Sequence, residues 1–210
     1  MIKKTFYNLP KEKQERIVNA VRKEFSKEPQ EKASINRIIK EANISRGSFY
    51  QYFDDKVDLI ELLVGDLFSQ ISNYYIELLS KNDGNIFTVS ILLYDKTVEL
   101  IDEKGDADFV KNILSGIRVN SELVYNYLYH RFSKENATDK IREIIKDYIN
   151  PKYLNCKDFE EIVIVVEIIH MVIQGALVDV FARKTNKGKA RETMRRKIEL
   201  LKKGFEAKNL

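Results

Sequence analysis

Residues 44–56 read ISRGSFYQYFDDK, a run made mostly of hydrogen-bonding groups and aromatic rings. Hydroxyls stand at Ser45, Ser48, Tyr50 and Tyr52, an amide at Gln51, cations at Arg46 and Lys56, and a bare backbone at Gly47. This set suits a polyanion that also presents readable edges. Hydroxyls and cations bond phosphate oxygens and fix orientation, whereas an amide can pair with adenine and a guanidinium with guanine. If the run is helical, each residue advances about 100° around the axis. Phe49 and Phe53 then share one face and point to a core. Gly47, Ser48 and Gln51 face the other way, with Tyr50 and Tyr52 on the flanks, where their hydroxyls can reach phosphates. Ser48 and Gln51 are the outward residues that can read a base edge. Arg46, in the first turn, can reach a guanine or a phosphate, and Gly47 lets the backbone come close.

The elements that must hold this run are legible upstream. In KEKQERIVNAVRKEF, Ile17, Val21 and Phe25 recur every four residues with Ala20 in the same stripe, the period of an amphipathic helix. Asn8 or Leu9 can cap its start, Pro10 suits its first turn, and Pro29 ends it. Ser34 is a good N-cap for a second helix, in which Ile35, Ile38, Ile39 and Ala42 form one narrow apolar face. Asn43 tolerates the left-handed conformation that a tight turn between helices demands. Ile44 buries that turn and Ser45 caps a third helix. The pattern is a helix-turn-helix whose last helix is free to enter a groove.

The whole chain has 210 residues, 44% of them hydrophobic and 32% charged, with 8 glycines and 3 prolines. The prolines fall where helical patterns begin or end, which predicts an all-α protein with short connections. Residues 1–56 hold 13 basic and 8 acidic residues, a net of +5, and residues 57–182 hold 12 and 21, a net of −9. A basic head before an acidic middle fits a nucleic-acid partner for the head alone. The opening MIKKTFYNLP lacks the apolar core of a signal peptide, so a soluble cytoplasmic protein is expected. The apolar run 162–182 is interrupted by Glu167, His170, Gln174 and Asp179, which reads as a helix buried in protein and not as a membrane span. His130, His170 and the single Cys156 are too scattered for a metal or nucleophile site, so no catalytic residue, metal or cofactor is expected.

The head resembles the DNA-binding domain of the TetR family of bacterial transcriptional regulators. The resemblance rests on SINRIIKEA, on ISRGSFYQYF, and on Lys56 followed by Val57, Asp58 and Leu59, and it covers about residues 10–65. It implies an N-terminal three-helix DNA-binding head over 1–56 and a C-terminal helical ligand-binding and dimerisation domain over 57–210. By the same resemblance Ser34 contacts backbone phosphate and Lys56 binds phosphate. Ser45, Arg46, Gly47, Ser48, Tyr50 and Tyr52 match recognition-helix positions; Gln51, from the helical wheel, and Asn36 and Arg37 in the preceding helix complete the expected DNA-binding set. Pro29 and Gln30 depart from the family's usual glycine and aromatic, and Asn43 replaces its turn glycine.

Beyond Lys56 the sequence is helical without a motif. Ile60, Leu63, Leu67, Ile71, Tyr74 and Leu78 form a stripe, SKNDGN breaks it, and further helices are predicted near 86–102, 106–116, 118–132, 137–149, 158–183 and 188–207. Aromatic residues cluster in the middle, and Tyr74, Tyr94, Phe109, Ile113, Tyr125 and Tyr129 are candidates to line a pocket for a small molecule. The resemblance implies that this pocket takes an inducer and that the last two helices form a homodimer. Glu160, Glu167 and Gln174, with His170 beside them, leave a polar stripe that is either solvated rim or pairs across the dimer with Arg191, Arg195, Arg196 and Lys197. The expected function is a ligand-responsive repressor on a pseudo-palindromic double-stranded DNA operator. The rivals are a DNA-binding protein of the same fold with a structural or cell-division role under a protein partner and, less favoured, an enzyme.

Overall fold

The computed structural model describes residues 2–29, 31–112 and 135–205, and every regular element among them is helical. The head holds α1 (Lys4–Tyr7), α2 (Lys11–Lys27), α3 (Ile35–Glu41) and α4 (Arg46–Tyr52). The body holds α5 (Lys56–Lys81), α6 (Ile86–Glu103), a helical stretch at 107–112, α7 (Glu135–Tyr148), α8 (Phe159–Phe181) and α9 (Lys187–Phe205). The helix expected at 118–132 and the candidates Ile113, Tyr125 and Tyr129 lie outside the described residues.

Each head element forms for a local reason. Ile17, Ala20, Val21 and Phe25 of α2 are buried, as their spacing requires. The N-cap of α2 is Pro10 itself and not Asn8 or Leu9, so the helix starts later than expected, and no side chain caps that end. The Ser34 hydroxyl accepts from the Arg37 amide at the start of α3, and the Ser45 hydroxyl accepts from the Ser48 amide at the start of α4. Between them Asn43 has φ 49°, the left-handed turn its type permits. Asp55 caps α5 by accepting from the Val57 and Asp58 amides, while Asp58 reaches back to the Asp54 amide at 2.7 Å.

α5 ties head to body, packing against α2 on one side and against α6 and α7 on the other. Its buried side runs through Leu59, Ile60, Leu63, Val64, Leu67, Tyr75 and Leu79. The expected stripe is therefore corrected in its second half. Tyr74 is 37% exposed, and the buried positions follow four-residue steps from Leu67 through Ile71 to Tyr75 and Leu79. Four-residue steps wind slowly around a 3.6-residue helix, and over 26 residues the drift moves the contact face by one position.

α6 is the centre of the body, touching α5, α8 and α9. The turn before it requires Gly84, which has φ +67° and whose added Cβ would lie 2.5 Å from the Tyr148 carbonyl and the Asn150 amide nitrogen. The Gly84 carbonyl accepts from Asn150 N at 3.1 Å, and Asp83 next to it bonds Asn150, Lys152 and the Tyr153 hydroxyl. Arg191 forks onto Asp95 with two contacts of 2.7 Å, and Lys187 pairs with Asp102, so α9 is bound to α6. Within the protomer the basic last helix finds partners other than the polar stripe of α8. Arg191 is engaged with α6, Arg195 and Arg196 with Glu192 of their own helix, and Glu160 with Arg142 of α7.

Candidate nucleic-acid interface

The head is organised around one buried carboxylate. Glu24 of α2 accepts from the Ser34 amide at 2.7 Å and from Arg37 Nε at 2.9 and 3.0 Å. Arg37 also donates to the Lys32 carbonyl at 3.0 Å. Burial alone would raise the Glu24 pKa, but the Arg37 fork, the Ser34 amide and the nearby cations together hold it below the ordinary carboxylate value. The result fixes the start of α3 against α2. Arg37 makes these bonds from an exposed position, its side chain 54% accessible beside the buried Glu24.

α4 then presents two different faces. Phe49 is fully buried, with its ring 5.4 Å from that of Phe53, which is also buried. Ser45, Arg46, Gly47, Tyr50 and Gln51 are exposed, and Ser48 is partly so. The Arg46 guanidinium lies over the Tyr50 ring, 5.9 Å from its centroid. The Ser45 and Ser48 hydroxyls are 2.9 Å apart and share a hydrogen bond. A Cβ on Gly47 would meet nothing closer than Ser45 Oγ at 3.9 Å, so no contact within the protein excludes a larger residue there.

Tyr52 departs from the flank position expected for it. It is only 5% exposed, its ring lies against Phe6, and its hydroxyl accepts from Lys13 Nζ at 3.1 Å. The short helix α1, absent from the expected elements, covers this flank of α4. The spacing of Ile2 and Phe6, both buried, was the available signal. Asn36 is exposed on α3. Lys56 opens α5 and extends its ammonium toward the Glu31 carbonyl at 3.4 Å. Exposed donors of α3, α4 and the start of α5 thus belong to one small head whose aromatic residues hold it together from behind.

Side-chain links among the described residues join this head to the body besides α5. Arg22 of α2 pairs at 2.9 Å with Asp106, which is buried just after α6. Asn112 Nδ2 donates to the carbonyls of Phe25 and Ser26, at 2.8 and 3.2 Å, near the end of α2. In the body, Tyr94 and Phe109 are buried. The Tyr94 hydroxyl meets no hydrogen-bond partner among the described residues, and burial pushes its phenol upward. Tyr75 is in the same condition, with its ring edge-on to His170 at 5.4 Å, and burial pushes that imidazole down to about 4.

The sequence matches two family models. Residues 17–63 match "Bacterial regulatory proteins, tetR family", and residues 85–205 match "Tetracyclin repressor-like, C-terminal domain". A curated relative, the uncharacterized HTH-type transcriptional regulator YdgC of Bacillus subtilis (strain 168), is 33% identical over 98 residues. That match covers 45% of this chain and half the length of the relative. Two solved structures share the fold. One is a putative TetR-family transcriptional regulator from Mesorhizobium loti MAFF303099, with TM-score 0.62 and 13% identity over 93% of this chain and 98% of that one. The other, also described as a putative TetR-family regulator, is from Syntrophomonas wolfei str. Goettingen, with TM-score 0.61 and 19% identity over 92% and 96% of the two chains.

Proposed function

The chain belongs to the TetR family of DNA-binding bacterial transcriptional regulators, and from that premise we propose that it is a homodimeric repressor whose hold on an operator is released by a small molecule. The observation that carries the reading is the division of α4 into a buried aromatic face and an exposed face of Ser45, Arg46, Gly47, Tyr50 and Gln51. Gln51 and Arg46 read base edges, while Ser34, Asn36, Ser45, Ser48, Tyr50 and Lys56 set the head on the phosphates.

Dimerisation is supported by an incompletely covered helix. Within α8 the most apolar window has a mean hydropathy of 2.0, yet a third of it is buried in the protomer. Ile164 and Met171, seven residues apart on α8, are 53% and 60% exposed, and Leu200 on the adjoining α9 is 68% exposed. A second copy of the same two helices would cover them and set two heads side by side for successive major grooves. The ligand site belongs in the body near Tyr94 and Phe109, where the buried Tyr94 hydroxyl could be satisfied by a polar atom of the ligand. A ligand favouring the body conformation with misaligned heads lowers DNA affinity by its differential affinity for the two states. Asp106 and Asn112 are the contacts through which such a change would reach α2.

Titration of operator DNA at several salt concentrations tests the head. Gln51→Ala is expected to cost about 1–3 kcal/mol at one base position and relax preference there. Lys56→Ala is expected to weaken all sequences alike and reduce the salt slope by about one. Unchanged base preference in the first variant, or loss confined to one sequence in the second, contradicts the assigned roles.

A further inference from the structure

α4 is seven residues long and ends without the usual means of ending a helix. A segment so short does not persist alone in water, and its last four carbonyls need donors from outside the helix. No glycine or left-handed residue follows it, because the C-cap Phe53 is extended at φ −133° and ψ 148°. Phe53 N satisfies the Phe49 carbonyl at 2.9 Å. The other three carbonyls are met by residues 46 or more positions away in sequence. Lys3 Nζ donates to the Tyr50 carbonyl at 2.8 Å, the Thr5 hydroxyl to the Gln51 carbonyl, and Lys3 N to the Tyr52 carbonyl at 2.9 Å.

We propose that residues 2–7 form the C-terminal cap of the recognition helix, and that Lys3 and Thr5 are positioning residues for DNA recognition. The same ammonium of Lys3 pairs with Asp54 at 2.7 Å, so its charge is used at the end of α4. That bond holds the Asp54 carboxyl below its ordinary range. Phe6 fastens the segment from the apolar side, its ring 5.2 Å from that of Phe53. Gln14 of α2 anchors the far end by donating to the Leu9 carbonyl at 2.7 Å. The match to the family's DNA-binding model begins at residue 17, so this cap lies outside it. The consequence for DNA rests on the reading of α4 as the recognition helix, whereas the capping does not.

Amide hydrogen exchange of the full chain, run beside operator titration, tests both parts. Thr5→Val removes one donor and leaves Phe6 and Ile2 in place, Thr5→Ser restores the donor, and Lys3→Met removes the ammonium. In Thr5→Val and Lys3→Met, exchange at residues 49–53 is expected to quicken about tenfold, with α8 unchanged and Thr5→Ser behaving as the native chain. Specific operator affinity is expected to fall by about the same factor, with the salt slope and non-specific binding unaltered. Unchanged exchange in α4 overturns the inference whatever the DNA result. So does a Lys3→Met variant with a lower salt slope and equal weakening on every sequence, which would make Lys3 a phosphate contact. If the native chain binds no sequence specifically while α4 exchange quickens as stated, the recognition reading fails and the cap stands.

Discussion

Gly47 and Glu24 show how differently two residues of one head are constrained. Gly47 lies in a helix where a Cβ would make only an ordinary contact with Ser45 Oγ, so nothing inside the protein accounts for its cost of about 0.5–1 kcal/mol relative to alanine. If a DNA backbone is what approaches it, Gly47→Ala should raise stability to denaturant by about that amount and weaken operator binding. Greater stability with undiminished affinity would remove Gly47 from the interface. Glu24 is constrained from within. Its folded pKa lies below that of the unfolded chain, so the stability it lends is complete above the unfolded value near 4.5 and is lost as pH falls through the folded value. Glu24→Gln should cost about 1.5–3 kcal/mol at neutral pH by weakening charge-assisted bonds to Arg37. It should also flatten the acid limb of the stability curve below pH about 4.5, which denaturant titration at a series of pH values would reveal.

At the scale of elements, what the sequence disclosed followed from locality. Ser34, Ser45 and Asn43 act within a few residues of themselves, and each does what its type predicted. So did SKNDGN, the break before α6, though not the reason for its glycine. Gly84 is needed because Tyr148 and Asn150 arrive from 64 or more positions away. Gly84→Ala should destabilise the body by about 2–4 kcal/mol, from a left-handed φ and a backbone overlap together. A thermal shift below the corresponding few degrees would show that the turn relaxes. The readings that failed were those that depend on a distant partner. Tyr52 is a flank residue on an isolated helical wheel and becomes core only because α1 covers it. The bond from Arg191 to Asp95 was likewise hidden, because 96 positions of sequence separate the two residues. Tyr74 and Tyr75 differ by one position on a long helix, and the faces of α6 and α8 decide which is buried.

For the whole molecule the account requires two heads at a fixed separation. Ile164, Met171 and Leu200 would be the apolar part of the surface that sets it. Met171→Glu places a carboxylate where a second α8 would pack, and sedimentation equilibrium should show the dimer weakened at least about tenfold with α-helical content retained. An unchanged dimer would move the interface elsewhere on the body. On the proposed mechanism, the head-to-body contacts at Asp106 and Asn112 would carry a ligand-driven change of the body to the heads. The measurement closest to the central claim is selection of bound duplexes from a random DNA library by the full-length protein, followed by sequencing. A dimeric regulator with two such heads should select an inverted repeat whose half-site centres lie about one helical turn or a multiple of it apart, bound by one dimer. Recovery of no common sequence, or of a single asymmetric site bound by one protomer, would contradict that claim.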